Sequence, residues 1–229
     1  MVREIVFDTE TTGFKAEEGE KLVEIGAVEL INHIPTGKTY HQYINPQKEV
    51  PEEAFKVHGL SYDFLKDYPI FSEVADEWLE FVGEDAVLVA HNASFDINFL
   101  NYELKQINRP QFSWDRVVDT LEIARNLFPG SRVNLDALCK RFNIDNTERT
   151  LHGALLDAEL LAKVYLELLG GVEPTMLGGE KKTASKTEFF EGKMEKAFRE
   201  ARDFPIDEEE LKAHEAFLSG KIKEAIWLK

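Results

Sequence analysis

Apolar positions in this chain fall into short extended runs near the N-terminus and into longer stripes of helical period further on. Residues 2–13 read VREIVFDTETTG, and the β-branched and aromatic run Ile5, Val6 and Phe7 suits a strand in a buried sheet. Residues 22–32 and 37–46 predict a second and a third strand, joined by a short turn around Pro35 and therefore antiparallel. The wholly apolar run 86–90 suits a central strand buried on both faces, and 116–119 predicts one more short strand.

Helices are expected over 51–59, where proline opens and glycine closes the segment, and over 72–82 with Ser72 as N-cap. Another is expected over 95–106, capped by Asn92 or Ser94. Further helices follow over 120–128 with Asp119 as cap, over 135–142 with Asn134 as cap, and from Ala154 to the Gly170–Gly171 stop. Residues 172–188 lack an apolar face and read as a linker. Residues 189–202 regain a stripe of Phe190, Met194, Ala197, Phe198 and Ala201, and Asp207 can cap a last helix through Leu218.

Composition narrows the classes. With 229 residues, 43% of them hydrophobic, the chain can bury a real core. It contains no apolar run long enough for a membrane span and no signal-peptide pattern at its start, and the lone Cys139 fits a reducing cytoplasm. Lys and Arg number 27 against 43 Asp and Glu, a net charge of −16, which argues against strong non-specific binding of nucleic acid.

Candidate chemistry gathers at carboxylates. Asp8 and Glu10 project from one face of the first strand, because side chains alternate along it. Two such acids repel unless solvated or neutralised by a hard divalent cation. Asp96 lies in the first helical turn beyond the 86–90 strand, where α/β sheets place ligands, although it could simply stabilise that helix start. His152 and Asp157 converge only if His152 lies in the entry turn of its helix. His58 closes a short helix, as a surface residue or as part of a site. Glu24 sits inside the apolar run of the second strand, and the sequence offers no account of it.

The motifs FDTETTG at 7–13, HNASFD at 91–96 and HGALLDA at 152–158 resemble, in this order, the DEDD exonuclease superfamily in its histidine branch. VHGL at 57–60, LFPG at 127–130 and the stretch 134–171 look like the proofreading epsilon-subunit family of bacterial DNA polymerase III. The resemblance implies an α/β, ribonuclease H-like fold: a mixed five-stranded sheet flanked by helices, with a helical C-terminal tail. It divides the chain into an exonuclease domain over 1–171, a linker over 172–188 and a polymerase-binding tail over 189–229.

The implied activity is 3′→5′ hydrolysis of single-stranded or frayed DNA 3′ ends, releasing nucleoside monophosphates. Asp8, Glu10, Asp96 and Asp157 would hold two Mg²⁺ or Mn²⁺ ions and His152 would be the base. Thr11, His58, Asn92 and Phe95 match positions lining the terminal-nucleotide site. The implied partner is the polymerase III catalytic (alpha) subunit, bound through the tail with Trp227 as an anchor. EPTMLG at 173–178 stands where the family binds a sliding clamp, but lacks the expected glutamine and final aromatic. An RNA-trimming relative and a catalytically silent polymerase-stabilising subunit are the competing readings.

Overall fold

The computed structural model describes residues 2–149 and 151–170 and, further along, Lys212, His214, Ala216 and Phe217. Backbone packing divides the chain into two units, Met1–Met176 and Leu177–Lys229. The four described residues of the second unit are helical and exposed. The expected linker, the stripe over 189–202 and Trp227 lie outside the described residues.

Five strands form one mixed sheet: β1 (Arg3–Thr11), β2 (Leu22–Ile31), β3 (Ile34–Tyr43), β4 (Val87–Ala90) and β5 (Val117–Asp119). Their order is β3-β2-β1-β4-β5, antiparallel from β3 to β1 and parallel from β1 to β5. The β2–β3 turn sits at Asn32 and His33, not at Pro35. Both residues take positive φ, 49° and 66°, as a tight two-residue hairpin turn requires. Pro35 belongs to β3, an edge strand where its missing N–H does little harm.

The α-helices of the first unit are α1 (Glu52–His58), α2 (Tyr62–Leu65), α3 (Phe71–Val82), α4 (Ala93–Gln106), α5 (Thr120–Leu127), α6 (Leu135–Phe142) and α7 (Ala154–Leu168). Asp119 and Asn134 cap α5 and α6 as expected, accepting the Leu121 and Ala137 N–H groups at 2.9 and 3.0 Å. Ser72 does not cap α3. It lies inside the first turn, and Glu73 instead accepts the Ile70 N–H at 3.0 Å. Helix α4 begins before Ser94, and Asn92 occupies its cap position in the left-handed region at φ 68°, without a side-chain cap.

Strand alternation splits the interior. Ile5 and Phe7 face Trp78, Ile97 and Leu100 of α3 and α4, whereas Val6 faces Leu138, Leu161 and Val164 of α6 and α7. Asp8 and Glu10 continue the parity of Val6, so β1 turns both acids toward the α7 side.

Candidate active site

The site lies where β1 ends and β4 passes into α4. A cavity of about 750 Å³ opens there, lined by Asp8, Glu10, Thr11, His58, Asn92, Phe95, Asp96 and His152. Asp157 is buried close behind them on the first turn of α7. His152 precedes that helix, and its Nδ1 lies 3.3 Å from Asp157 Oδ2, so the entry-turn condition for their convergence is met.

Each carboxylate is positioned by a different element. Asp96 reaches across from α4, and its Oδ1 accepts the Thr9 N–H at 3.1 Å and the Thr9 hydroxyl at 2.6 Å. Asp157 is brought down onto β2 because Gly26 lets α7 approach. A Cβ at Gly26 would fall on the Leu155 N and the Ala154 carbonyl carbon, and Gly26 is the register partner of Asp8. The start of α7 is held by Glu24, whose Oε2 accepts the Ala154 N–H at 3.2 Å while Oε1 pairs with His41 Nε2 at 2.6 Å. These two contacts account for an acid inside the apolar run of β2.

Electrostatics in the cavity are unbalanced toward negative charge. Desolvation, then Asp96, Glu10 and Asp157, hold the Asp8 carboxyl well above its ordinary range. Burial and the neighbouring Glu24 and Asp157 push Glu10 up to about 8. Burial raises Asp96 to about 7 against the opposing Thr9 hydrogen bonds. Asp157 behaves differently: burial works to raise it, but hydrogen bonds from Arg149 and His152 prevail and its pKa is lowered. Ligand atoms of Glu10, His152 and Asp157 lie within 4.8 Å of one another. Buried carboxylates forced toward their protonated forms, together with an all-oxygen and imidazole donor set, fit a hard divalent cation.

His58 is buried, not a surface residue. Its Nδ1 accepts the Leu60 N–H at 3.0 Å, so the proton of the neutral ring sits on Nε2. Buried Nε2 makes no hydrogen bond of ordinary geometry among the described residues, though the Thr11 backbone is near enough to weigh on the ring's charge. Burial comes first among the causes and keeps the His58 pKa below its usual value. The Thr11 hydroxyl donates to the Gly13 carbonyl at 2.6 Å, which fixes the loop after β1. Asn92 donates its N–H to Asp119 Oδ1 at 3.0 Å, and Phe95 packs its ring on Phe99 with centroids 5.0 Å apart.

Four residues of this site were not singled out for it by the sequence. Thr9 and Glu24 position the acids, and Phe14, 85% exposed, stands at the cavity wall. Arg149 forks onto Asp157, with Nε to Oδ1 at 2.5 Å and Nη2 to Oδ2 at 2.6 Å. An acid inside the apolar run of β2 and an arginine just before HGALLDA were the available signals.

The exonuclease (RNase_T) family pattern matches residues 5–165. The chain is 46% identical over 230 residues to the DNA polymerase III subunit epsilon of Rickettsia felis, covering 98% of this chain and 99% of that one. It is 45% identical to the DNA polymerase III subunit epsilon of Escherichia coli K12, covering 95% and 93% of the two chains. Among solved structures, Exonuclease X in complex with 5′ overhanging duplex DNA aligns with a TM-score of 0.56 at 25% identity, over 74% of this chain and 91% of that chain. The nuclease domain of 3′hExo, a DEDDh family member, shares the fold with a TM-score of 0.62 at 18% identity, over 73% and 91% of the two chains. The chain therefore belongs to the exonuclease family and, within it, to the epsilon subunits of DNA polymerase III, which are proofreading 3′→5′ exonucleases.

Proposed function

We infer that this epsilon-family chain trims mismatched nucleotides from DNA 3′ ends by hydrolysis assisted by two divalent cations, Mg²⁺ or Mn²⁺, and releases nucleoside monophosphates. The observation that carries this reading is the convergence of Asp8, Glu10, Asp96 and His152 on one cavity with Asp157 immediately behind. Those four carboxylates would hold the cations. Bound cations would supply Lewis-acid stabilisation of the charge that builds on the phosphate oxygens during hydrolysis.

The remaining chemistry belongs to the protein. His152 takes a proton from the attacking water, since an imidazole can accept one near neutral pH. Phe95 offers a ring face on which an unpaired terminal base stacks, worth about 1–3 kcal/mol. Thr11, His58 and Asn92 line the cavity beside that ring and contact the terminal nucleotide. A frayed end enters more easily than a paired one, because unpairing costs energy. With a net charge of −16, the chain relies on its polymerase to deliver DNA, and the segment after about residue 183 docks on the polymerase catalytic (alpha) subunit. Such a partner places the chain in the cytoplasm. No described helix is long and apolar enough to cross a membrane.

The test is release of nucleoside monophosphates from a single-stranded DNA oligomer and its RNA counterpart, with and without EDTA. Asp8→Ala and His152→Ala are assayed beside the wild type. We expect DNA hydrolysis that EDTA abolishes, near-complete loss in Asp8→Ala, and about 10²–10⁴-fold slower turnover in His152→Ala. Undiminished rates in EDTA or in Asp8→Ala would sink the two-cation reading. Faster turnover of RNA would favour RNA trimming, and inactivity on both would favour a silent stabilising subunit.

A further inference from the structure

Arg149 holds the carboxylate that a bound cation would need free. Its side chain is 7% exposed, and its guanidinium is anchored by Nη1 to Asp136 Oδ1 at 2.7 Å. From that anchor Nε and Nη2 take both oxygens of Asp157, in the bidentate geometry that makes arginine–carboxylate pairs strong. Nη2 also lies 2.9 Å from His152 Nδ1 and 3.4 Å from its Nε2, so the guanidinium rests against the imidazole ring.

A divalent cation near Glu10, His152 and Asp157 would sit beside this guanidinium, since their ligand atoms lie within 4.8 Å of one another. Two positive charges cannot share the Asp157 oxygens without strong repulsion. We propose that Arg149 is a built-in counter-ion that keeps the cation-free site closed, and that cation binding displaces it from Asp157. Asp136 then retains the guanidinium at the rim, which makes the exchange reversible. Arg149 is a positioning residue under this reading and touches no reacting atom. The proposal rests on the metal-dependent reading above.

The test is Mn²⁺ titration of the full chain by calorimetry at about pH 8, for the wild type, Arg149→Met and Arg149→Lys, with thermal unfolding followed in EDTA and in Mn²⁺. Removing a competitor that holds two charged hydrogen bonds should tighten Mn²⁺ binding in Arg149→Met by at least about fivefold. The melting temperature in EDTA should fall, and the rise produced by Mn²⁺ should grow. Arg149→Lys keeps the charge but loses the fork, and should tighten binding by a smaller factor. It also serves if Arg149→Met does not fold. Unchanged or weaker Mn²⁺ affinity in folded Arg149→Met and Arg149→Lys would overturn this proposal alone. No Mn²⁺ binding by any of the three chains would overturn it together with the metal reading.

Discussion

Glu24 on β2 accepts the Ala154 N–H at 3.2 Å, so a side chain of the sheet caps the helix that carries Asp157. Glu24 is also the register partner of Glu10, and its charge helps raise Glu10. Its carboxylate pairs with His41 Nε2 at 2.6 Å and faces the positive end of α7. The one residue thus helps to position Asp157 and adds to the burial that raises Glu10.

Glu24→Ala should cost about 1 kcal/mol, the usual worth of a helix cap, and reduce DNA hydrolysis about tenfold as the start of α7 loosens. Glu24→Gln keeps an acceptor for Ala154 and should retain more of both. Melting temperature and kcat, measured on the three chains, check this. An Ala variant equal to wild type in both would remove Glu24 from the site.

Gly26→Ala should damage activity more than a small core substitution would. The added methyl falls on the backbone of Ala154 and Leu155, which cannot yield by a rotamer change. Overpacking of this kind costs about 1–3 kcal/mol. Here the displaced backbone belongs to α7, so Asp157 moves away from Asp8. We expect a lower melting temperature and a Mn²⁺ affinity weakened beyond what the stability loss explains, read by calorimetry.

Stability without divalent cations should fall as pH rises. Burial is the first cause that lifts Glu10 from 4.5 to about 8, and likewise Asp96 from 3.8 to about 7. Between their unfolded and folded values the folded chain binds more protons than the unfolded one. The stability they contribute is full below the unfolded values and is lost as pH passes the folded ones. In EDTA the melting temperature should therefore drop by several degrees from about pH 5 to about pH 8. Mg²⁺ or Mn²⁺ should raise it more at the higher pH. A melting temperature that climbs across this window in EDTA would contradict the assigned charge states.

Truncation near Gly179 should leave nuclease activity on single-stranded DNA and abolish binding to the polymerase catalytic subunit. All the candidate catalytic residues lie within Met1–Met176, whereas the stripe with Phe190, Met194 and Phe198 follows. A pull-down with parallel nuclease assays decides it. Polymerase binding that survives truncation would reject the docking role, and lost nuclease activity would show that the tail supports the exonuclease unit.

Local chemistry made much of this protein readable from its residues. Strand alternation put Asp8 and Glu10 on one face, because the period of two is a property of the backbone. Asp119 and Asn134 announced α5 and α6, since a cap acts within three residues of itself. The hairpin turn was misplaced because Pro35 is the stronger turn signal, while Asn32 and His33 adopt left-handed conformations that only the pairing of β2 with β3 demands. Likewise Ser72 looked like a cap, but Glu73 reaches the Ile70 N–H and the cap position falls at Ile70, two residues earlier.

The motifs carried the family and the five catalytic candidates, but not how those groups are held. Glu24 meets Ala154 across 130 positions of sequence, and Thr9 meets Asp96 across 87. Arg149 reaches Asp157 and His152 from a segment with no periodic pattern. Such pairings depend on how closely α7 and α4 settle against the end of β1. That distance is decided by packing on both faces of the sheet, at Gly26 above all, and no local rule encodes it.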